Sequence, residues 1–222
     1  MRKKAAPQAK ILATSYLPDQ LPPMRGAMAV FLGRSNAGKS SLLNEIFKKD
    51  LARVSKSPGK TRSVNFYQWG SNLTLIDVPG YGFARRSQTE REAWRTLMER
   101  FFDELPPGAF ALLLLDSKRE LQSEELDLID ALRERGLELE LLLTKADRLN
   151  QGQREALRRA VEAGPVVAGQ GIPLTWRFVS AKTGEGIDAL RRRLFDYAKA
   201  IPISAPNHDP LRSRRRAGNR AP

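Results

Sequence analysis

Gly33-Arg34-Ser35-Asn36-Ala37-Gly38-Lys39-Ser40 has the spacing G-x-x-x-x-G-K-[ST], and the chemistry of that pattern is a grip on polyphosphate. Glycines at 33 and 38 admit backbone angles and close approach that a side chain would block. Successive N–H groups of Gly33–Ser40 then face inward onto phosphate oxygens, helped by the positive end of a following helix. Lys39 is expected to reach the β- and γ-phosphates, and the Ser40 hydroxyl to ligate Mg²⁺. A hundred residues later stands Thr144-Lys145-Ala146-Asp147. Asp147 can accept hydrogen bonds from N1–H and N2–H₂ of guanine, a donor pair that adenine lacks. Lys145 would lie along the base, and the backbone of Val179-Ser180-Ala181 would meet the guanine O6. Together the two segments imply a GTP-binding switch; neither alone would.

Between them lie two further elements. Asp77-Val78-Pro79-Gly80 is a D-x-x-G sequence, in which Asp77 can hold Mg²⁺ through a water and Gly80 can offer its N–H to the γ-phosphate. In isolation Asp77 could simply cap a turn; beside a phosphate loop the metal role gains weight. Ser57-Pro58-Gly59-Lys60-Thr61-Arg62-Ser63 is polar, and Thr61 is the candidate that senses γ-phosphate through Mg²⁺. Gly59, Lys60, Arg62 and Ser63 are expected beside the nucleotide with it. Gly59-Lys60-Thr61 also looks like the end of a second phosphate loop, but Val54 occupies the leading glycine position and no apolar strand precedes it.

These residues need a scaffold that brings distant loops to one edge. Met28–Leu32 is a short apolar run ending at the loop, and Ser40–Phe47 reads as a helix. Ser63–Trp69 and Leu73–Val78 are β-rich runs joined by Gly70-Ser71-Asn72, which predicts a hairpin. Ser87-Gln88-Thr89-Glu90 is a capping box that opens a helix to about Glu104, stopped by Pro106-Pro107-Gly108. Phe110–Leu115, Leu137–Leu143 and Leu174–Val179 read as strands; Gln122–Arg135, Gly152–Ala163 and Gly186–Ile201 read as helices. Such alternation implies an α/β fold with a mostly parallel central sheet, one antiparallel edge strand and helices on both faces. The ligand elements all follow strands, where open α/β sheets bind their ligands. Trp94, Phe101 and Phe102 are expected to pack in the core or a groove. Glu124, Glu125 and Asp127 are expected on a solvated helix face.

The 222-residue chain suits one core-bearing domain, over 24–202, between a basic, extended segment 1–23 and an Arg-rich tail 203–222. The net charge is +13, and residues 1–10 and 207–222 together carry +8 of it. Basic ends of that kind suit a polyanion or are merely solvated termini. With no cysteine, disulfides and thiolate metal sites are excluded. His208, the single histidine, falls in the tail, which argues against imidazole catalysis. The longest apolar runs are too short to span a bilayer, so no membrane association and a cytoplasmic location are expected.

The chain resembles the EngB (YihA/YsxC) family of bacterial GTPases, in the TrmE-Era-EngA-EngB-Septin-like class, from about Ile11 to Ala200. The carrying segments are Gly33–Ser40, Ser57–Phe66, Asp77-Val78-Pro79-Gly80-Tyr81-Gly82-Phe83-Ala84, Thr144–Asp147 and Ser180–Gly186. Two departures stand out: Thr144 replaces the asparagine of N-K-x-D, and the Arg-rich extension beyond Pro206 is not a usual part of the pattern. The resemblance implies a Ras-like P-loop GTPase fold, GTP and GDP with Mg²⁺ as ligands, and the large ribosomal subunit or its rRNA as partner of a monomer. Ser40, Thr61 and Asp77 would hold the metal, and Lys39, Thr61, Gly80 and Asn36 would serve the hydrolysis. Asn36 matches a position that coordinates potassium in related GTPases; the alternative is that it simply fits the loop backbone. Tyr81 stands where many small GTPases place a water-orienting glutamine, which implies slow intrinsic hydrolysis. A different reading is an rRNA-binding placeholder for which nucleotide is only structural.

Overall fold

Strands that alternate between two apolar faces must be covered on both, and this sheet is. In the computed structural model, which describes residues 7–52, 63–81, 87–163 and 174–201, seven strands form one sheet. In chain order the elements are β1 (Ala9–Ser15), β2 (Ala27–Gly33), α1 (Lys39–Phe47), β3 (Val64–Trp69), β4 (Leu73–Asp77) and α2 (Gln88–Glu104). There follow β5 (Phe110–Asp116), α3 (Ser123–Glu134), β6 (Glu138–Thr144), α4 (Gln151–Ala163), β7 (Thr175–Phe178) and α5 (Ile187–Ala200). The strand order is β1-β3-β4-β2-β5-β6-β7. β2 pairs in parallel with β4 and β5, as do β5 with β6 and β6 with β7; β3 runs antiparallel to β4 and β1.

The antiparallel edge and the Gly70-Ser71-Asn72 hairpin are as the sequence requires. Within the basic, extended segment 1–23, Ala9–Ser15 forms β1, the outermost strand, paired to β3 from Ala9↔Trp69 to Ser15↔Val64 with a register shift between Ile11 and Ala13. Its outer positions are exposed, so it lacks the apolar alternation that reveals the other strands.

The period-two alternation of β2 divides its residues between two cores. Met28, Val30 and Leu32 join Leu97, Met98 and Phe101 of α2 and Ile129 and Leu132 of α3. Ala27, Ala29 and Phe31 join Leu42, Leu43 and Ile46 of α1 and Ile187, Leu190 and Leu194 of α5. Phe101 is fully buried, and Trp94 and Phe102 pack partly buried against the same core, as expected for that stripe. Each fully buried large apolar side chain here contributes roughly 1.5–3 kcal/mol by leaving water. Ser87 caps α2 as predicted: its hydroxyl accepts the Glu90 N–H at 3.2 Å, and Glu90 accepts the Ser87 N–H at 3.2 Å. Among the described residues no helix is long and apolar enough to cross a membrane.

Candidate functional site

Because β2, β4, β6 and β7 run in one direction, Gly33, Asp77, Thr144 and Phe178 all end at the same edge of the sheet. The loop after β2 has the geometry its glycines allow. Gly33 (φ 151°) could carry no Cβ, which would meet the Leu114 carbonyl oxygen at 2.7 Å. Gly38 is left-handed (φ 94°) and forms the N-cap of α1 without a side-chain cap, so the first N–H groups of the helix are not claimed by a capping side chain. Asn36 is left-handed too (φ 68°), a conformation asparagine tolerates better than most residues.

Lys39 and Asp77 form the charged floor. Lys39 Nζ donates to the Gly33 carbonyl at 3.1 Å, back into its own loop. Burial lowers the Lys39 ammonium below the ordinary lysine value, opposed by the nearby Asp77 carboxylate. Burial likewise raises the Asp77 carboxyl to about 6, opposed by Lys39. Asp77 is 3% exposed, and its Oδ1 has no hydrogen-bond partner among the described residues. A buried carboxylate oxygen left unpaired beside a phosphate loop fits a hydrated divalent cation, with Ser40 at the first turn of α1 as the other described donor. Gly80 packs on the loop: a Cβ there would meet Ser35 N at 2.8 Å and Ser35 Oγ at 2.9 Å, and the Ser35 N–H donates to the Tyr81 carbonyl at 3.2 Å.

Glu125 corrects the expectation of a solvated carboxylate face. Glu124 and Asp127 are exposed, but Glu125 is 1% exposed. It closes the capping box of α3, accepting the Gln122 N–H at 2.9 Å, and faces Arg34 of the phosphate loop at 3.8 Å; Arg34 also pairs with Glu124. The Tyr81 hydroxyl is buried in the same place. Burial first, then the Glu125 carboxylate, push its ionisation up, and neither it nor Glu125 Oε1 has a well-formed hydrogen bond among the described residues.

Beside the Thr144–Asp147 segment, a cleft of about 890 Å³ is lined by Gly38, Thr144, Lys145, Asp147, Val179 and Ala181, with part of α1 as its wall. Thr144 is buried, its hydroxyl 2.7 Å from the Ala37 carbonyl oxygen and 3.1 Å from that of Leu115. Lys145 is left-handed (φ 56°), and its Nζ donates to the Asn36 carbonyl and to Asp116 Oδ2, each at 2.7 Å. Burial alone would raise the Asp116 carboxyl, but hydrogen bonds from Lys145 and the Lys118 N–H hold it below its usual range. Asp147 Oδ1 accepts the Ser180 hydroxyl at 2.7 Å, and that bond is the main cause of its lowered pKa. Ala146 is fully buried, and its N–H donates to the Val179 carbonyl at 3.2 Å.

The structure thus brings Gly33–Ser40, Asp77–Gly80, Thr144–Asp147 and Val179–Ala181 to one edge, and Ser63 is buried at the start of β3. Gly59, Lys60, Thr61 and Arg62 lie outside the described residues, as does the 203–222 tail. Sequence reading missed Asp116, Arg154 and Glu185. Asp116 was legible as an acid ending an apolar strand, as Asp77 does. The Arg154–Glu185 pair bridges 31 residues and carries no local signal.

A family described as 50S ribosome-binding GTPase matches residues 28–145. The probable GTP-binding protein EngB of Francisella tularensis subsp. novicida is 36% identical over 188 residues, covering 84% of this chain and 95% of that protein. The protein of the same description from Desulfovibrio desulfuricans is 41% identical over 182 residues, covering 78% of this chain and 90% of its own. A crystal structure of a probable GTP-binding protein EngB shares the fold, with a TM-score of 0.58 at 22% identity over 78% of this chain and 99% of that one.

Proposed function

The chain belongs to the EngB family of GTP-binding proteins, a family of GTPases, and from that premise we propose that it is a nucleotide-controlled switch in assembly of the large (50S) ribosomal subunit. In this role it hydrolyses GTP to GDP and phosphate as a cytoplasmic monomer, partners the large subunit or its rRNA, and is needed for normal cell division and growth. The observation that carries the switch reading is the junction of the two nucleotide motifs, where Thr144 and Lys145 each contact a carbonyl of the phosphate loop. The ribosomal direction is supported by the description of the matching family and by the basic ends of the chain, which suit a polyanion.

In this reading Gly33–Ser40 wrap the phosphates and Lys39 exchanges its own loop carbonyl for phosphate oxygens. Ser40, Thr61 and Asp77 would hold Mg²⁺, and the orphaned Asp77 oxygen suits that task. When bound, Mg²⁺ neutralises charge on the β- and γ-phosphate oxygens. The Gly80 N–H would address the γ-phosphate, Thr61 would report its presence, and Asn36 would hold potassium if that cation is used. Asp147 reads the guanine edge, Lys145 lies along the base, and the Ala181 backbone meets O6. Tyr81 turns its hydroxyl toward Glu125, so nothing at that position orients the attacking water, and the missing help comes from the partner.

GTP hydrolysis by the pure protein, with and without purified large ribosomal subunits in potassium buffer, tests the proposal. A slow basal rate that rises when subunits are added is expected. Tight GTP-dependent subunit binding without hydrolysis would replace the switch by a placeholder, and indifference to subunits would remove the proposed partner.

A further inference from the structure

Arg154 lies in the first turn of α4, away from the two motifs that read the base, yet its guanidinium touches both of the loops that carry them. Nη1 and Nη2 donate to Glu185 Oε1 and Oε2 at 2.5 and 2.8 Å, a bidentate fork. Nη2 also donates to the Ala146 carbonyl at 2.7 Å, and the guanidinium lies 5.3 Å from the centre of the Phe178 ring. Ala146 immediately precedes Asp147. The Glu185 carbonyl accepts the Ser180 N–H at 3.0 Å, and Ser180 in turn donates its hydroxyl to Asp147. Two routes from one guanidinium therefore end on the same carboxylate: one through Ala146, the other through Glu185 and Ser180.

We propose that Arg154 is a positioning residue for base selection, fixing Asp147 and the Val179–Ala181 backbone in the relative placement that guanine requires. The inference rests on the reading of Asp147 as the guanine-edge acceptor. Stability is a poor explanation for the arrangement, since the two side chains are 30% and 36% exposed and such ion pairs contribute little. The planar fork is the point: it serves a carboxylate and a carbonyl at once while stacking on a ring, which a lysine ammonium cannot do.

Binding of GDP and IDP to the wild type, Arg154→Ala, Arg154→Lys and Glu185→Gln tests this, with thermal melting and the maximal GTP hydrolysis rate recorded alongside. IDP lacks the 2-amino group and so loses one of the two donors addressed to Asp147. In Arg154→Ala, GDP affinity should fall about tenfold and IDP affinity less, so the GDP preference contracts. The maximal hydrolysis rate at saturating GTP should stay unchanged. Arg154→Lys should behave like Arg154→Ala, because it keeps the charge and loses the fork, and it carries the test if the alanine variant does not fold. A wild-type GDP-to-IDP ratio in both Arg154 variants, whatever their melting temperatures, overturns the inference alone. A wild type that binds GDP and IDP equally overturns the guanine-edge reading of Asp147, and this inference with it.

Discussion

The Thr144 hydroxyl lies 2.7 Å from the Ala37 carbonyl oxygen, so the Thr144–Asp147 segment is anchored to the phosphate loop by a hydroxyl where the N-K-x-D pattern has an amide. With Lys145 Nζ on the Asn36 carbonyl, two successive residues of one loop hold two successive residues of the other. The Thr144–Asp147 segment and the Gly33–Ser40 loop are therefore mechanically one unit.

Thr144→Val keeps the shape of the side chain and removes the anchor. Leaving the buried Ala37 carbonyl unpaired should cost about 1–2 kcal/mol of stability. GDP affinity should fall about tenfold as the two loops uncouple. Thr144→Asn, which restores an amide, should bind GDP at least as well as the valine variant. Calorimetric titration and thermal melting decide; valine at full affinity would mean that the hydroxyl bond is incidental.

Asp77 is buried and its Oδ1 has no hydrogen-bond partner among the described residues, so without nucleotide its charge is costly. Asp77→Asn removes the cost of burying that charge but also leaves Lys39 without its opposing carboxylate, so the nucleotide-free, Mg²⁺-free protein should change in stability by no more than about 1 kcal/mol. The same change should weaken Mg²⁺-dependent GTP binding at least about tenfold. Melting in chelator, set beside GTP titrations with and without Mg²⁺, reads both effects. A variant destabilised beyond that would mean that the carboxylate is structural.

The sheet and most of the site were legible because their signals are local: an apolar run, a turn, then polar residues of fixed spacing. β1 was not, since an edge strand buries little and Ile11 and Leu12 point outward, 51% and 42% exposed. Glu125 was misread for a different reason. Its spacing within α3 is that of a solvated carboxylate, and only Arg34, ninety-one residues earlier in sequence, reveals that the position is enclosed. Arg154 and Glu185 likewise meet only in the folded chain. Long-range polar contacts leave no periodicity to read.

Tyr81→Phe separates packing from chemistry beside Glu125. The hydroxyl is buried without a well-formed hydrogen bond among the described residues, so its removal should change stability by no more than about 0.5 kcal/mol. GTP hydrolysis should be unchanged with or without ribosomal subunits. Glu125→Ala, by contrast, should lower stability by about 1–2 kcal/mol, because it removes half of a capping box and a partner of Arg34. A large loss of hydrolysis in Tyr81→Phe would give the hydroxyl a catalytic part.

If Asp147 accepts the guanine edge, Ser180 should influence the pH range over which GDP binds. Its hydroxyl bond is the first cause holding the Asp147 carboxyl below its usual range. A carboxylate with a depressed folded pKa contributes fully above the unfolded value, and the contribution is lost as pH falls through the folded one. An Asp147 carboxyl held below its usual range stays ionised throughout the neutral and mildly acidic range, so GDP affinity should stay flat there as far as Asp147 is concerned. In Ser180→Ala the carboxyl returns toward its ordinary value, and the decline should begin at higher pH. Superimposable GDP affinity profiles for the two proteins would count against the Ser180 bond as the cause.

Asn36 has two roles that one substitution can separate. Its backbone is left-handed, and its carbonyl accepts Lys145 Nζ, so a purely backbone role is already sufficient to explain an asparagine there. A potassium ligand would use the side-chain amide instead, on a residue that is exposed. Asn36→Gly keeps the left-handed backbone without strain and deletes only the amide. If potassium is held there, wild-type GTP hydrolysis should run several-fold, on the order of fivefold, faster in potassium than in sodium. The glycine variant should lose that difference while keeping its GDP affinity. Equal rates of the wild type in both salts would eliminate the cation, and a glycine variant still stimulated by potassium would move the ligand elsewhere and leave Asn36 as a turn residue.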